Sequence, residues 1–269
     1  MAAKVRSIAE RNASETPPRS SRPGSVTTAD SVAFAAVTAE PSSIHLEPSQ
    51  PIAPDVLLPG DPGRAMALAQ QLLAKPLMSN HSRGLWGYSG ETREGMPLTI
   101  QSTGMGGPSA AIVLHELAEL GVRRAIRVGT CAALEGSLEL GELVVAEAAL
   151  PGDGVSRALG QQGPVEPDPA LHSSLERAAA CRPVLIASTD LFHEYDEAPR
   201  EGWIRAGAAV VEMECAPLFT LGRRLGVALA CALIVSDVFA GAERVRIEPE
   251  ALGRSVQRMG AAAAAALAF

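Results

Sequence analysis

A chain of 269 residues is long enough for one substantial α/β domain and short for two. Apolar residues make up 47% and aromatics only 3%, which allows a sizeable core and argues against base-stacking platforms for single-stranded nucleic acid. With a net charge of −7 and no block of lysine or arginine, neither nucleic acid nor an anionic membrane is an expected partner, although local arginines can still grip an anion.

Residues 1–43 are rich in Ser, Thr, Pro and Ala and lack periodicity, so they read as a disordered extension ahead of a domain over 44–269. Glu10, Glu15 and Asp30 spoil the acid-poor pattern of a transit peptide, and no long apolar core marks a secretory signal. No apolar run approaches the roughly 20 residues of a membrane span. The four cysteines (Cys131, Cys181, Cys215, Cys231) are scattered in or beside apolar stretches, which fits buried free thiols in a reducing cytoplasm. Five histidines without ligand spacing give no metal signal.

From Ile44 onward short β-rich runs alternate with helical stretches, the pattern of a mostly parallel or mixed sheet covered by helices. The first strand, Val56–Leu58, runs into Pro59-Gly60-Asp61-Pro62-Gly63-Arg64 and a helix over Pro62–Leu73. A glycine turn before a helix N-terminus lets backbone N–H groups approach an anion, and Arg64 can add a guanidinium. Taken alone, the segment reads more readily as a plain strand–helix turn with Arg64 on a solvated face. A strand over Leu98–Ser102 ends in Thr103-Gly104-Met105-Gly106-Gly107-Pro108 and a helix over Pro108–Leu120. These glycines could line a ligand loop, but they match neither the phosphate-loop nor the dinucleotide fingerprint.

The strand Ala125–Val128 carries Arg127 inside an apolar run, followed by Gly129-Thr130-Cys131. Arg127 is either the partner of a carboxylate such as Glu214 or an anion ligand at the strand's carboxyl end, where ligands of open α/β sheets collect. Strands over Leu143–Ala149 and Val184–Ser188 bracket a helix over Pro169–Ala179. The next strand, Val210–Met213, holds Glu212, with Glu214 just beyond and a helix over Ala216–Leu225 following. Two carboxylates in an apolar run must be paired or used, because burying an ionised carboxylate alone is costly. The strand Ala228–Ser236 ends at Asp237, where a partly desolvated carboxylate could serve as a general acid or merely cap a turn. A helix over Pro249–Leu267 closes the chain, its Ala-rich end being a good helix former and nothing more.

Taken together, PGDPGRA, SRGLWGYSG, STGMGGPS, RVGTCAALEG, VVEMECA and IVSDV resemble the nucleoside phosphorylases of the hexameric purine nucleoside phosphorylase and uridine phosphorylase type. The resemblance spans about residues 45–240. It implies a single α/β domain with a central mixed, partly barrel-like sheet flanked by helices in three layers. It implies Gly60, Arg64, Arg127 and Thr130 as phosphate ligands, with Arg83 lent by a neighbouring subunit. Met105, Met213 and Glu214 would contact the ribose, and His45 would reach the 5′-hydroxyl across a dimer interface. Asp237 would protonate the departing base, and Phe192, Glu212 and Ser236 would line the base site.

The implied reaction is phosphorolysis of a nucleoside by inorganic phosphate as co-substrate, with no cofactor and no metal. The assembly would be a homo-oligomer, a dimer at least and in related enzymes a trimer of dimers. Asp237 favours a purine. Asp153-Gly154-Val155-Ser156 and Thr130 look more like the uridine branch, whose Gln…Arg pair is absent from residues 192–197. Arg244, Arg246 and Arg254 are candidates to assist the acid. A uridine phosphorylase, a phosphate-independent nucleosidase and a non-catalytic nucleoside-binding protein remain alternatives.

Overall fold

The fully buried run Val56-Leu57-Leu58 forms the first strand of the computed structural model, which describes residues 43–134, 136, 138–193, 197–240 and 243–268. Apart from Ser43, the expected N-terminal extension lies outside the described residues. The elements run β1 (Asp55–Leu58), α1 (Pro62–Leu72), β2 (Leu77–Asn80), β3 (Gly87–Glu91), β4 (Pro97–Gln101), α2 (Gly107–Glu119), β5 (Arg124–Ala133), β6 (Leu143–Pro151) and α3 (Gly154–Ala158). There follow α4 (Pro169–Ala179), β7 (Pro183–Ser188), α5 (Ala198–Arg205), β8 (Val210–Glu212), α6 (Cys215–Leu225), β9 (Ala228–Ala240), β10 (Glu243–Arg246) and α7 (Pro249–Leu267). Proline in the first turn of α1, α2, α4, α5 and α7 sets φ for the helix where no N–H partner is needed.

The strands form one mixed sheet in the order β10-β9-β6-β7-β8-β5-β1-β4-β3-β2, and β9 also pairs with β5. That extra pairing closes β5, β9, β6, β7 and β8 into a five-stranded barrel, as the expected barrel-like sheet requires. β1 runs parallel to both β4 and β5, and β5 runs parallel to β9, so their carboxyl ends share one edge. The register sets Leu58 beside Arg127, and Arg127 beside Cys231.

One face of the sheet is covered by α2 and α6, which bury Val113, Leu117, Leu218 and Phe219. The other carries α1, α4 and α7, with Leu68, Leu175 and Met259 in one cluster. The Ala-rich end of α7 therefore does more than continue a helix. Ala263 and Ala266 are buried, and at Gly260 α7 lies so close against α1 that a Cβ would overlap Leu68.

Three strands and two helices escape the sequence pattern. Among them, β3 has two glycines in five residues and β10 alternates charged residues with a lone valine, so neither shows a strand's apolar signature. Two helix C-termini close on glycine: Gly121 follows α2 at φ 100° and Gly226 caps α6 at φ 69°, both in the left-handed region.

Candidate active site

The turn between β1 and α1 is held from two sides. The Asp61 carboxylate accepts from the Arg64 N–H at 2.6 Å as N-cap of α1, a contact of about 1 kcal/mol. The Thr103 N–H donates to the Pro59 carbonyl at 2.9 Å, tying the end of β4 to the end of β1. Gly60 lies inside this junction. A Cβ there would stand 3.1 Å from the Gly104 carbonyl oxygen and 3.6 Å from Arg127 Nη1, so the glycine keeps open the space in front of the guanidinium. Gly104 and Gly106 adopt φ 72° and 84°, values that a side chain would strain, and they turn the chain from β4 into α2.

Arg127 is buried on β5 and faces both carboxylates of the β8–α6 junction. Its Nη2 donates to Glu214 Oε2, and its Nε lies 3.5 Å from Glu212 Oε2. Burial alone would lower its pKa, but Glu214 and then Glu212 hold the guanidinium above its ordinary value. Nε and Nη1 have no hydrogen-bond partner among the described residues, although both are buried. Nη1 is thus a charged donor aimed at the Gly60 turn. Arg64 joins it: burial, and next the charge of Arg127, lower the Arg64 pKa, while Asp61 and Glu214 raise it. Two guanidinium groups close enough to repel form a site that an anion would relieve.

The two glutamates divide the work. Glu214 accepts from the Gly106 N–H at 2.6 Å through Oε1, which ties the glycine loop to the start of α6. Glu212 is turned inward instead. Its oxygens accept from Ser188 Oγ at 2.6 Å, the Cys215 N–H at 2.7 Å and the Glu214 N–H at 2.8 Å, so it caps α6 and sets the backbone of Glu214. Both oxygens are therefore engaged inside the fold. Burial first, and then the charge of Glu214, push the Glu212 carboxyl up to about 7.

Asp237 owes its orientation to a β-bulge. Along β5 and β9 the pairing runs Thr130 with Ile234 and Cys131 with Val235, then jumps to Ala132 with Asp237. Ser236 is the extra residue, and inserting it swings Asp237 to the face that a regular strand would deny it. The hydroxyl of Ser236 lies 2.6 Å from Asp237 Oδ2 and 3.2 Å from the Cys131 carbonyl, so it braces the bulge. Asp237 is 3% exposed, and Arg244 Nε reaches its Oδ1 at 3.1 Å. Arg246 stands 3.9 Å away and is largely exposed, while Arg254 forms no ion pair with the acid among the described residues.

Arg244 also stacks on Phe192, its Cζ 4.3 Å from the ring centre, so one guanidinium links the acid to a half-exposed aromatic. Arg200 lies 4.1 Å over Phe239 on the same rim. Neither Arg200 nor Phe239 carries a sequence signal that separates it from a surface arginine and a strand phenylalanine. The two halves of the site meet at Cys131. Burial raises its thiol pKa, with Glu212, Cys231 and Asp237 adding to the rise and Arg127 opposing it.

Not every expected residue joins this cluster. Met213 does, its Cε about 4.0 Å from where a Gly106 Cβ would be. Thr130 is half-buried three residues beyond Arg127 on β5, and its hydroxyl makes no hydrogen bond among the described residues. Met105, next to Gly106, is 87% exposed. Arg83 is exposed in a 3₁₀ turn at φ 56°, a left-handed conformation unusual for arginine. His45 bonds to Glu116 near the far end of α2. Glu116 follows Gly107 by nine residues, about 14 Å along the helix, so His45 is remote from Glu214 of its own chain. Asp153, read as a uridine-branch feature, is the N-cap of α3 and accepts from the Ser156 N–H at 2.7 Å. The segment 194–196, within the stretch read for base recognition, lies outside the described residues.

All four cysteines are free, three of them buried and Cys181 half-buried. Among the described residues no cluster of three or more His, Cys, Asp or Glu is placed to hold a metal ion, and no helix is long and apolar enough to cross a membrane.

Comparison with known proteins decides the family. The profile described as the phosphorylase superfamily matches residues 54–268, which cover every element above. The chain belongs to the phosphorylase superfamily. Its relatives there include a DeoD-type purine nucleoside phosphorylase of Clostridium beijerinckii, 33% identical over 78% of this chain and 92% of the relative. A DeoD-type purine nucleoside phosphorylase of Clostridium novyi is 34% identical over 77% of this chain and 93% of its own. A crystal structure of uridine phosphorylase from Vibrio fischeri superposes with a TM-score of 0.72 at 25% identity, covering 81% of this chain and 92% of that one. This phosphorylase is accordingly a pentosyltransferase of the nucleoside phosphorylase family, built on that family's fold.

Proposed function

We propose that this phosphorylase cleaves the N-glycosidic bond of a purine nucleoside with inorganic phosphate, giving the free base and ribose 1-phosphate. The observation that carries the reading is the buried, unpartnered Nη1 of Arg127, facing the Gly60 turn beside Arg64 and one side chain away from Glu214. Phosphate would take up Nη1, the Gly60 N–H, Arg64 and the free hydroxyl of Thr130, with Arg83 of a neighbouring copy closing the site. Glu214 keeps an anionic oxygen beside Met213 and accepts from the 2′- and 3′-hydroxyls of the ribose. Holding both reactants against Arg127 removes the entropy of a bimolecular encounter.

Bond breaking at C1′ leads and leaves a cationic sugar. The glycosidic C–N bond yields its electron pair to the base, and a phosphate oxygen then forms the new C1′–O bond. Asp237 gives its proton to the base nitrogen that gains charge, N7 of a purine, and Arg244 steadies the carboxylate left behind. Phe192, stacked on Arg244, supplies an apolar edge to the base site. The names of the curated relatives support the purine, as does the acid itself. The uridine phosphorylase neighbour supports a pyrimidine as the second reading.

The test is a panel of inosine, adenosine, guanosine, uridine and methylthioadenosine, each with and without phosphate. Phosphate-dependent release of a purine is expected. Release without phosphate would mark a nucleosidase. Tight binding without release across the panel would mark a binding protein. The enzyme is read as a cytoplasmic homo-oligomer whose sites are shared between at least two copies.

A further inference from the structure

Glu116 is a carboxylate near the C-terminal end of α2 that packing alone does not explain. It is buried, and both its oxygens are in use. Oε1 accepts from the N–H groups of Ile44 and His45, each at 3.1 Å. Oε2 accepts from His45 N–H at 3.0 Å and Leu46 N–H at 2.7 Å. On top of this, His45 Nδ1 lies 2.6 Å from Oε1. Burial would raise the pKa of this carboxyl, but the bonds from the His45 ring and from three consecutive backbone N–H groups bring it below its ordinary value. An ionised carboxylate has no proton to offer, so Nδ1–H of His45 is the donor.

That assignment fixes the ring. With Nδ1 carrying the proton, Nε2 of the neutral imidazole is an acceptor. The side chain is 29% exposed, so this nitrogen is not sealed in the core. The backbone on both sides of His45 is clamped by the same carboxylate, and the imidazole has little freedom to turn.

We propose that Glu116 is the positioning residue that holds His45 with Nε2 outward, as an acceptor for the 5′-hydroxyl of a nucleoside bound to a neighbouring copy, and thereby selects substrates that carry a hydroxyl there. The proposal rests on the phosphorolytic reading and adds to it. A 5′-hydroxyl can donate to Nε2, whereas a 5′-deoxy sugar has nothing to give. Glu116 touches neither substrate nor phosphate and acts through the tautomer and orientation of His45. The outer carboxylate of a ligand-binding histidine acts the same way in metal sites.

The experiment compares kcat/KM for inosine and 5′-deoxyinosine in the assembled wild-type enzyme, in Glu116→Ala, and in His45→Ala with and without Glu116→Ala. The wild type should prefer inosine by about tenfold, the weight of one hydrogen bond to the ligand. Glu116→Ala should erase most of that preference by raising KM for inosine, with 5′-deoxyinosine unchanged. In the His45→Ala background it should change nothing further. Glu116→Gln keeps one accepting oxygen and should recover part of the preference; it also carries the comparison if the alanine variant does not fold.

Equal losses on both substrates, or a loss that persists without His45, would reduce Glu116 to a structural clamp and overturn the proposal. So would long-range ¹⁵N spectra showing the neutral His45 ring protonated at Nε2, a result independent of activity. If the wild type released no base with phosphate present, the phosphorolytic reading would fail first. An active enzyme whose 5′ preference ignores Glu116 would fail the proposal alone.

Discussion

Gly60→Ala separates an anion site from a mere turn, because it adds one methyl group and no charge. The position has an ordinary backbone conformation, since its φ does not lie in the left-handed region. The new Cβ would sit 3.1 Å from the Gly104 carbonyl, which asks for a shift of a few tenths of an ångström. Stability should therefore change by no more than about 1 kcal/mol in either direction, stiffening of the unfolded chain offsetting the tight contact. Binding is another matter. The methyl carbon would stand 3.6 Å from Arg127 Nη1. A phosphate oxygen needs to approach a charged nitrogen to about 2.8 Å along the same path. Losing that one charge-assisted bond, worth about 1.5–3 kcal/mol, should raise the phosphate KM by roughly 10- to 150-fold. Initial rates at saturating nucleoside and varied phosphate give the number, and a thermal melt confirms the fold. A normal melt with an unaltered phosphate KM would refute the claim that Nη1 receives the anion.

Arg64→Ala should act in the same direction, raising the phosphate KM with little effect on the nucleoside KM; a selective rise in the nucleoside KM would misplace it. Asp237→Asn should lower purine phosphorolysis at least tenfold at neutral pH, the low end of general acid catalysis, and unchanged turnover would remove Asp237 from the acid role. Arg244→Met should cost less than Asp237→Asn and add nothing in that background, because it acts through the same carboxylate; additive losses measured by kcat would contradict this. Glu212 offers a pH test. Its folded carboxyl is pushed up to about 7 from an ordinary 4.5, so between those values the folded chain holds a proton that the unfolded chain has released, and stability falls as pH rises. Urea midpoints at about pH 5 and pH 8 should drop less in Glu212→Gln than in the wild type; equal drops would mean that Glu212 is ionised throughout.

Periodicity made the framework legible and composition did not. The strands buried on both faces, such as Val56–Leu58 and Ala228–Ser236, announce themselves as apolar runs, and most of the helices between them open on proline. Edge elements escape because their stability comes from neighbours. The polar strand Glu243–Arg246 exists through pairing with β9, and that pairing brings Arg244 to Asp237. The site shows the same division. Arg127, Glu214 and Asp237 stand out as charges inside apolar runs. The inward turn of Glu212 and the register slip at Ser236 follow from hydrogen bonds to Ser188 and Cys131, far apart in sequence, and no local pattern carries them. Glu116 was invisible for the opposite reason. In the helix Gly107–Glu119 it reads as a solvated charge until the segment Ile44–Leu46 is laid across it.

In the proposed function Arg127 is what lets a chain of net charge −7 hold an anion deep in its sheet. Its guanidinium and that of Arg64 face two carboxylates, so with every group ionised the inner shell is electrically balanced and has little to offer a phosphate. Two features tip the balance. Burial raises the Glu212 carboxyl to about 7, which moves part of that negative charge away near neutrality. And Arg127 spends one side on Glu214, leaving Nη1 bare toward Gly60, so the residue that steadies the proposed ribose ligand is also the one that an anion would engage. A phosphate drawn to Nη1 competes with Glu214 for the same positive charge and leaves that carboxylate freer to accept from ribose hydroxyls. Anion and sugar sites built on one guanidinium cannot be independent, and a reaction joining a phosphate oxygen to C1′ needs that dependence.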